Sequence, residues 1–171
     1  EAALSTPKRE ITGKLSLAFG TAKLDYAEAQ TKEQLQEQLK STNKYDVRYA
    51  ERLLKELEAG TLLTSYPAPV SVVRFGDAVL FVALPGETVV DYSLKIKREN
   101  RKPDGPEVWV AGYSNDVFAY IPSLRVLLEG GYEAGGAMRY VRAIPHPGPW
   151  SDSVEADIVG TVRGLYDRVH R

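Results

Sequence analysis

The sequence predicts an α/β fold with a mixed sheet and flanking helices, and three observations lead to this prediction. Two runs, at residues 78–84 and 108–111, are apolar without the alternation of a half-buried strand, which is typical of strands inside a sheet. Helix-forming segments lie before, between and after these runs. At 171 residues, 43% of them hydrophobic, the chain has the length of one domain or of a piece of a larger one.

Composition excludes several kinds of site. The formal net charge of -1 gives no whole-protein field for nucleic acid, so no nucleic-acid partner is predicted. The absence of cysteine excludes disulfides, thiolate zinc sites and cysteine nucleophiles. No apolar run approaches the roughly 18 residues of a membrane span, so no transmembrane segment is predicted. The chain starts at Glu1 without methionine, which suggests a processed or trimmed chain.

Residues 1–65 are predicted to form a strand and a helical hairpin. Residues 10–19 alternate from Ile11 to Phe19, as in a half-buried strand that Gly20 would end. Thr31 and Gln34 form a capping box before a polar helix. Asn43 can cap a second helix, which has an apolar stripe at three- and four-residue steps and ends at Gly60.

Residues 66–171 are predicted to hold the rest of the sheet, the site loops and a closing helix. The runs at 70–75 and 78–84 flank Gly76-Asp77, which predicts a β-hairpin, and residues 88–100 favour a helix. Residues 108–111 are predicted to be a fully buried strand. The long segment 112–150 has a helix at 123–129 and a short strand at 137–141, and Asp152 precedes the closing helix.

Polar side chains follow the two apolar strands. Glu87 comes directly after the first, and the loop after the second carries Tyr113, Asn115, Tyr120 and Tyr132. Ligands of α/β sheets commonly bind at such strand ends. Glu87 is either a carboxylate favoured by the dipole of the following helix or a ligand or acid–base group. The tyrosines and Asn115 alone also fit surface and turn residues.

The two histidines are weak candidates for a metal. His146 lies between two prolines and is interpreted as a restrained loop residue, and His170 lies at the chain end. Two such histidines do not make the imidazole-rich shell of a catalytic zinc.

Three motifs together carry a resemblance. PGE after an apolar strand, GYSN followed by YI, and then GGYE resemble the neutral (non-lysosomal) ceramidase family, in the C-terminal part of its zinc-bearing catalytic domain. The resemblance covers about residues 70–171. It implies zinc as the cofactor, Glu87 and Tyr120 as metal ligands, and Tyr132 as the catalytic donor to the substrate carbonyl oxygen.

The resemblance also implies what the chain needs from elsewhere. The family's two histidine ligands come from an N-terminal half, so the implied partners are that half of the same protein and an N-acyl lipid or other amide substrate. The chain alone is then expected to be inactive, with an exposed apolar face where the other half packs. A secreted or periplasmic location is suggested by the resemblance.

The sequence departs from the family's pattern after the ligand tyrosine. Pro122-Ser123 replaces a threonine pair, and the following LRVLLEGG replaces a charged helix. Two alternatives therefore stay open. One is a non-catalytic α/β binding module that uses residues 112–150 for recognition, and the other is a structural subdomain that completes a sheet.

Overall fold

The computed structural model describes residue 5 and residues 10–170. Its regular elements, in chain order, are β1 (Leu15–Asp25), α1 (Lys32–Gln38), α2 (Lys44–Ala59), β2 (Ser65–Phe75), β3 (Val79–Ala83), β4 (Glu87–Thr88), α3 (Val90–Asn100), β5 (Glu107–Ala111), β6 (Tyr120–Ile121), α4 (Leu124–Glu129), a 3₁₀ helix (Gly136–Tyr140) and α5 (Val154–Val169).

The main sheet has four strands in the order β1-β2-β3-β5. The β1–β2 and β2–β3 pairs are antiparallel and the β3–β5 pair is parallel, so the predicted α/β fold with a mixed sheet is confirmed. The β2–β3 hairpin around Gly76 is also as predicted. β4 and β6 form a separate parallel pair just beyond the ends of β3 and β5.

One face of the main sheet carries the large core. Helices α5 and α3 pack on this face, and α5 lies mainly against β1 and β2. The α5 side chains at three- and four-residue steps are all buried, as their spacing predicts. They meet small and branched side chains of the sheet, namely Ala18, Ala22, Val70, Val72, Leu80, Val82 and Val108.

Local capping chemistry sets the ends of α1 and α2 as the sequence predicts. Thr31 and Gln34 form the reciprocal capping box, and the Asn43 side chain accepts from the Tyr45 N–H. Gly60 ends α2 in the left-handed conformation. These two helices form a second, smaller cluster around Leu35 and Leu53.

The prediction for β1 is wrong in both its bounds and its buried face. The strand runs from Leu15 to Asp25 through Gly20, because Gly20 pairs with Val70 and leaves room for Leu165 of α5. The side chains that face the core are Ala18, Ala22 and Leu24. Leu15, Leu17 and Phe19, which alternate with them, point away from the helices and are exposed.

Three further predictions need correction. β5 is not fully buried, because Trp109 projects from the uncovered face of the sheet. Residues 136–140 form a 3₁₀ helix instead of a strand. Helix α3 begins at Val90, so Glu87 lies in β4 and the acidic residue in the first turn is Asp91. The interpretation of Glu87 as a carboxylate at that helix terminus is therefore wrong.

Candidate functional site

The candidate site lies at the carboxyl ends of the parallel strands β3 and β5. Glu87 of β4 stands directly opposite Tyr120 of β6 in the short parallel pair. The carboxylate of Glu87 is therefore near enough to the Tyr120 hydroxyl to raise the pKa of that tyrosine. The prediction that these two side chains approach each other is confirmed.

Gly86 makes the close approach of the two segments possible. Its backbone φ is +62°, and a Cβ at this position would meet the Ala119 carbonyl oxygen at 2.6 Å. The Gly86 N–H donates to the Asp116 carbonyl at 2.7 Å, and the Glu87 N–H donates to the Ala119 carbonyl at 2.9 Å. The PG of the PGE motif is thus the turn that brings Glu87 to Tyr120.

A third polar side chain, that of Tyr113, joins the pair. Its N–H donates to the Gly86 carbonyl at 2.8 Å, next to Glu87 in the chain, and the Glu87 carboxylate raises the pKa of Tyr113. Tyr113 adopts φ +53° and Asn115 φ +69°, a conformation uncommon for residues other than glycine. The sequence analysis gave Tyr113 no metal or catalytic role, since a lone tyrosine after Gly112 is indistinguishable from a surface tyrosine.

The electrostatics of the cluster follow from one carboxylate that faces two phenols. The hydrogen bond to Glu87 and the negative charge of that carboxylate raise the pKa of Tyr120 to about 12. The same hydrogen bond raises the pKa of Tyr113 above its ordinary value of 10.0. Both tyrosines are therefore protonated at neutral pH.

Contacts from outside the cluster hold its backbone in place. The Trp150 indole N–H donates to the backbone carbonyl of Tyr120, the candidate metal ligand, at 2.9 Å. The Tyr66 hydroxyl donates to the Asp116 carboxylate at 2.7 Å. Burial raises the pKa of Tyr66 to about 12, and the hydrogen bond to Asp116 is the second-largest cause of this increase. Strand β2 and the segment before α5 thus both fix the site loop.

Tyr132 lies beside Tyr120. The two ring centroids are 5.4 Å apart, with an interplanar angle of 73°. Gly130 and Gly131 both have positive φ, and the turn closes with the Gly136 N–H donating to the Gly131 carbonyl at 3.0 Å. The glycine pair therefore aims Tyr132 toward the candidate ligand, with half of its surface exposed. The same turn forms one wall of a cavity of about 690 Å³ that Leu127 and Trp150 also line.

The structure places the histidines elsewhere. His146 is fully buried; its Nδ1 accepts from the Tyr26 hydroxyl at 2.6 Å and its Nε2–H donates to the Phe118 carbonyl at 3.0 Å. Burial lowers the pKa of His146 below 6.5. His170 packs on Tyr166 near the end of α5. His146 is therefore a core residue with both ring nitrogens engaged.

The part of the chain that the structure describes has neither a ready-made metal-binding cluster nor a membrane-spanning helix. Residues 10–170 contain no group of three or more histidine, aspartate or glutamate side chains placed to hold a metal ion. Among the helices of that range, none has the length and apolarity needed to cross a membrane.

The fold and the cluster define the chain as an α/β protein with a carboxylate–tyrosine site at the strand ends. No family model matches the chain, and no match to it is found among curated proteins or solved structures.

Proposed function

We propose that this chain is the part of a zinc-dependent amide hydrolase that supplies the oxygen ligands, with Glu87 and Tyr120 as the two ligands. The observation that carries the proposal is the pairing of Glu87 with Tyr120 at the strand ends, with the Tyr113 N–H bonded to the Gly86 carbonyl beside them. A carboxylate and a phenolate are oxygen donors that suit a divalent cation. The resemblance to neutral ceramidases suggests zinc and an N-acyl lipid or other amide substrate.

The donor set fits half of a catalytic zinc shell. The two imidazole donors that the resemblance implies would come from residues outside this chain, and a catalytic zinc also keeps a position for water or substrate. The engaged ring nitrogens of His146 support that division. We therefore propose that the chain is inactive until the part with the remaining ligands joins it.

A bound zinc ion would lower the pKa of a water molecule toward 7 and polarise the amide carbonyl. The residues of this chain have three roles around that chemistry. Glu87 would hold the cation from the β4–β6 pair. Tyr120 would bind it as the phenolate, because the positive charge would offset the carboxylate that raises the Tyr120 pKa in its absence.

Tyr132 is proposed to donate to the oxyanion that forms on the substrate. Its contact with the Tyr120 ring fixes it beside the ligand, and its half-exposed side chain can be reached by a substrate. The cavity behind the same turn offers space for an apolar part of that substrate, with small residues such as Gly130 and Ala134 in its wall.

Zinc titration of the 171-residue chain tests the two ligands. We expect binding much weaker than the roughly 10–16 kcal/mol of complete structural zinc sites, since half of the shell is missing. Binding should strengthen with pH and change the ultraviolet spectrum of tyrosine, because Tyr120 must ionise. Glu87→Gln and Tyr120→Phe should each abolish it, and calorimetry with ultraviolet difference spectra measures both effects.

Glu107→Gln is the matched control, because Glu107 is an exposed carboxylate at the opposite end of β5 and should not affect zinc binding. Tight stoichiometric binding by the wild-type chain would contradict the half-shell proposal. Weak binding that survives Glu87→Gln would contradict the assignment of the ligand.

The second candidate is a binding module without catalysis, favoured by a row of tyrosines on the surface. From Tyr120 the row passes through Tyr132 to Tyr140, with ring centroids 6.0 Å apart for the last pair, and on to Tyr45 of α2 at 5.1 Å. Arg48 lies over the Tyr45 ring. Such rings can hold a ligand by stacking. A longer protein that has the imidazole donors and binds zinc, yet cleaves no N-acyl substrate, would favour this candidate.

A further inference from the structure

The side of the main sheet that faces away from α3 and α5 is apolar, and we call it the open face. The strand register aligns its side chains in three rows that cross all four strands. The first row is Leu15, Phe75, Val79 and Glu107; the second is Leu17, Val73, Phe81 and Trp109; the third is Phe19, Ser71, Ala83 and Ala111.

Large apolar side chains of the open face are strongly exposed. The exposed fractions are 61% for Leu15, 66% for Leu17, 51% for Phe19 and 59% for Trp109. The helices that pack extensively on the sheet in the described part of the chain, α3 and α5, lie on the opposite face. A contiguous patch of this kind marks an interaction surface, unlike isolated exposed apolar residues.

The charge pattern suits an interface centre. Glu107, at one corner, is the single charged residue in the three rows. Trp and Phe are enriched and charged residues are depleted at the centres of protein interfaces. The formal net charge of the chain is -1, so two copies repel each other only weakly.

The open face is also large enough for a pair of copies. Strands about 4.8 Å apart with a rise of about 3.3 Å per residue give the whole face a footprint of about 500 Å². This area comprises the three rows and, as a polar rim, the longer β1–β2 part with its exposed Lys23–Asp25 ion pair. Two copies would then bury about 1,000 Å², which is the lower bound for a specific interface. Two sheets packed face to face lie about 10 Å apart, and a two-fold axis would bury the same patch on both chains.

We propose that the open face is the interface of a homodimer in which two copies of this chain pack sheet against sheet. The row that runs from Leu17 to Trp109 forms its centre. The proposal does not depend on the zinc site, whose Glu87 lies in the separate β4–β6 pair. It specifies a second copy as what covers the apolar face that the sequence analysis assigned to an N-terminal half.

Sedimentation velocity from about 1 µM to about 500 µM tests the proposal over the range in which a small interface associates. We expect a monomer–dimer equilibrium that persists in high sodium chloride, because apolar burial carries it instead of exposed charges. Trp109 gives an internal reporter, since Trp150 is only 1% exposed. Acrylamide quenching of tryptophan should fall as the dimer forms, and Trp109→Phe should remove that change.

Leu17→Glu should raise the dimer dissociation constant at least tenfold, because it places a charge in the centre of the interface. Leu128→Glu is the control, since Leu128 is 76% exposed on α4, away from the open face. Leu17 is exposed and lies outside the core, so the Leu17→Glu variant should fold, which circular dichroism checks. Trp109→Gln is a second substitution on the open face and should also weaken the dimer.

A wild-type chain that stays monomeric over the whole range, with Trp109 quenched equally at each concentration, would overturn the proposal. So would a dimer that neither Leu17→Glu nor Trp109→Gln weakens, because a different surface would then hold it. Loss of the dimer in Leu128→Glu alone would have the same meaning. Zinc binding by Glu87 is measured in a separate experiment, so the homodimer proposal and the zinc-site proposal can be refuted independently.

Discussion

The substitution Gly86→Ala tests the turn that brings Glu87 to Tyr120. The new Cβ would lie 2.6 Å from the Ala119 carbonyl oxygen, an atom of the backbone that cannot rotate away. The same carbonyl accepts the Glu87 N–H, so moving it would also disturb the β4–β6 pair. Gly60→Ala is the matched control, because Gly60 has a similar φ of +69° and nothing within 4 Å of a built Cβ.

The two substitutions share one cost and differ in another. An alanine in the left-handed region costs about 1–2 kcal/mol at either position. Crowding against a fixed backbone adds roughly 1–3 kcal/mol at Gly86 alone. We therefore expect Gly60→Ala to lower the free energy of unfolding by about 1–2 kcal/mol and Gly86→Ala by roughly 2–5 kcal/mol.

Urea unfolding followed by circular dichroism measures both variants, since a difference above about 1 kcal/mol is well resolved by the shift of the midpoint. Zinc titration of folded Gly86→Ala gives a second measurement, and its affinity should fall while that of Gly60→Ala stays at the wild-type value. Equal losses of stability in the two variants would refute the argument that close approach, and not the positive φ alone, requires glycine at position 86.

Two further predictions concern Tyr132 and His146. In a longer protein with the imidazole donors, Tyr132→Phe should keep zinc binding and lower kcat by about a hundredfold with little change in KM, as for a lost oxyanion donor, and unchanged turnover of an N-acyl substrate would remove Tyr132 from the mechanism. The folded-state pKa of His146 is below the unfolded value near 6.5, so its neutral form contributes stability above about pH 6.5 that is lost as the pH falls toward the folded pKa. Urea midpoints between pH 7 and pH 5 measure this loss, and a pH dependence unchanged in His146→Gln would contradict it. Tyr26→Phe should cost about 1–3 kcal/mol at neutral pH, because the buried Nδ1 acceptor loses its donor; a stability equal to wild type would show that the bond is dispensable.

Short-range patterns in the sequence predicted much of the local structure. The caps at Thr31 and Asn43 depend on side chains within three residues of the helix start, so sequence spacing is sufficient to find them. The apolar stripe of α5 and the hairpin at Gly76 are equally local. The adjacency of Glu87 and Tyr120 was predictable because each follows an apolar strand and neighbouring parallel strands end at one edge.

Other features depend on contacts that no local pattern encodes. The alternation of β1 does not tell which of its two faces is buried. Helix α5 packs on the face with Ala18 and Ala22, because small side chains allow a helix to approach closely. Leu17 and Trp109 are consequently on the open face.

The sequence by itself determined the fold class, the caps of α1 and α2 and the pairing of Glu87 with Tyr120, because those follow from periodicity, capping and strand order. Only the tertiary structure brought Tyr113 beside Glu87, because its N–H bonds to the Gly86 carbonyl of a segment 27 residues earlier in the chain. It also decided that His146 is a core residue, since its partners Tyr26 and Phe118 lie 120 and 28 residues away in sequence. Long-range hydrogen bonds and the choice of packed face depend on how distant segments meet, which the periodicity of a single segment cannot encode.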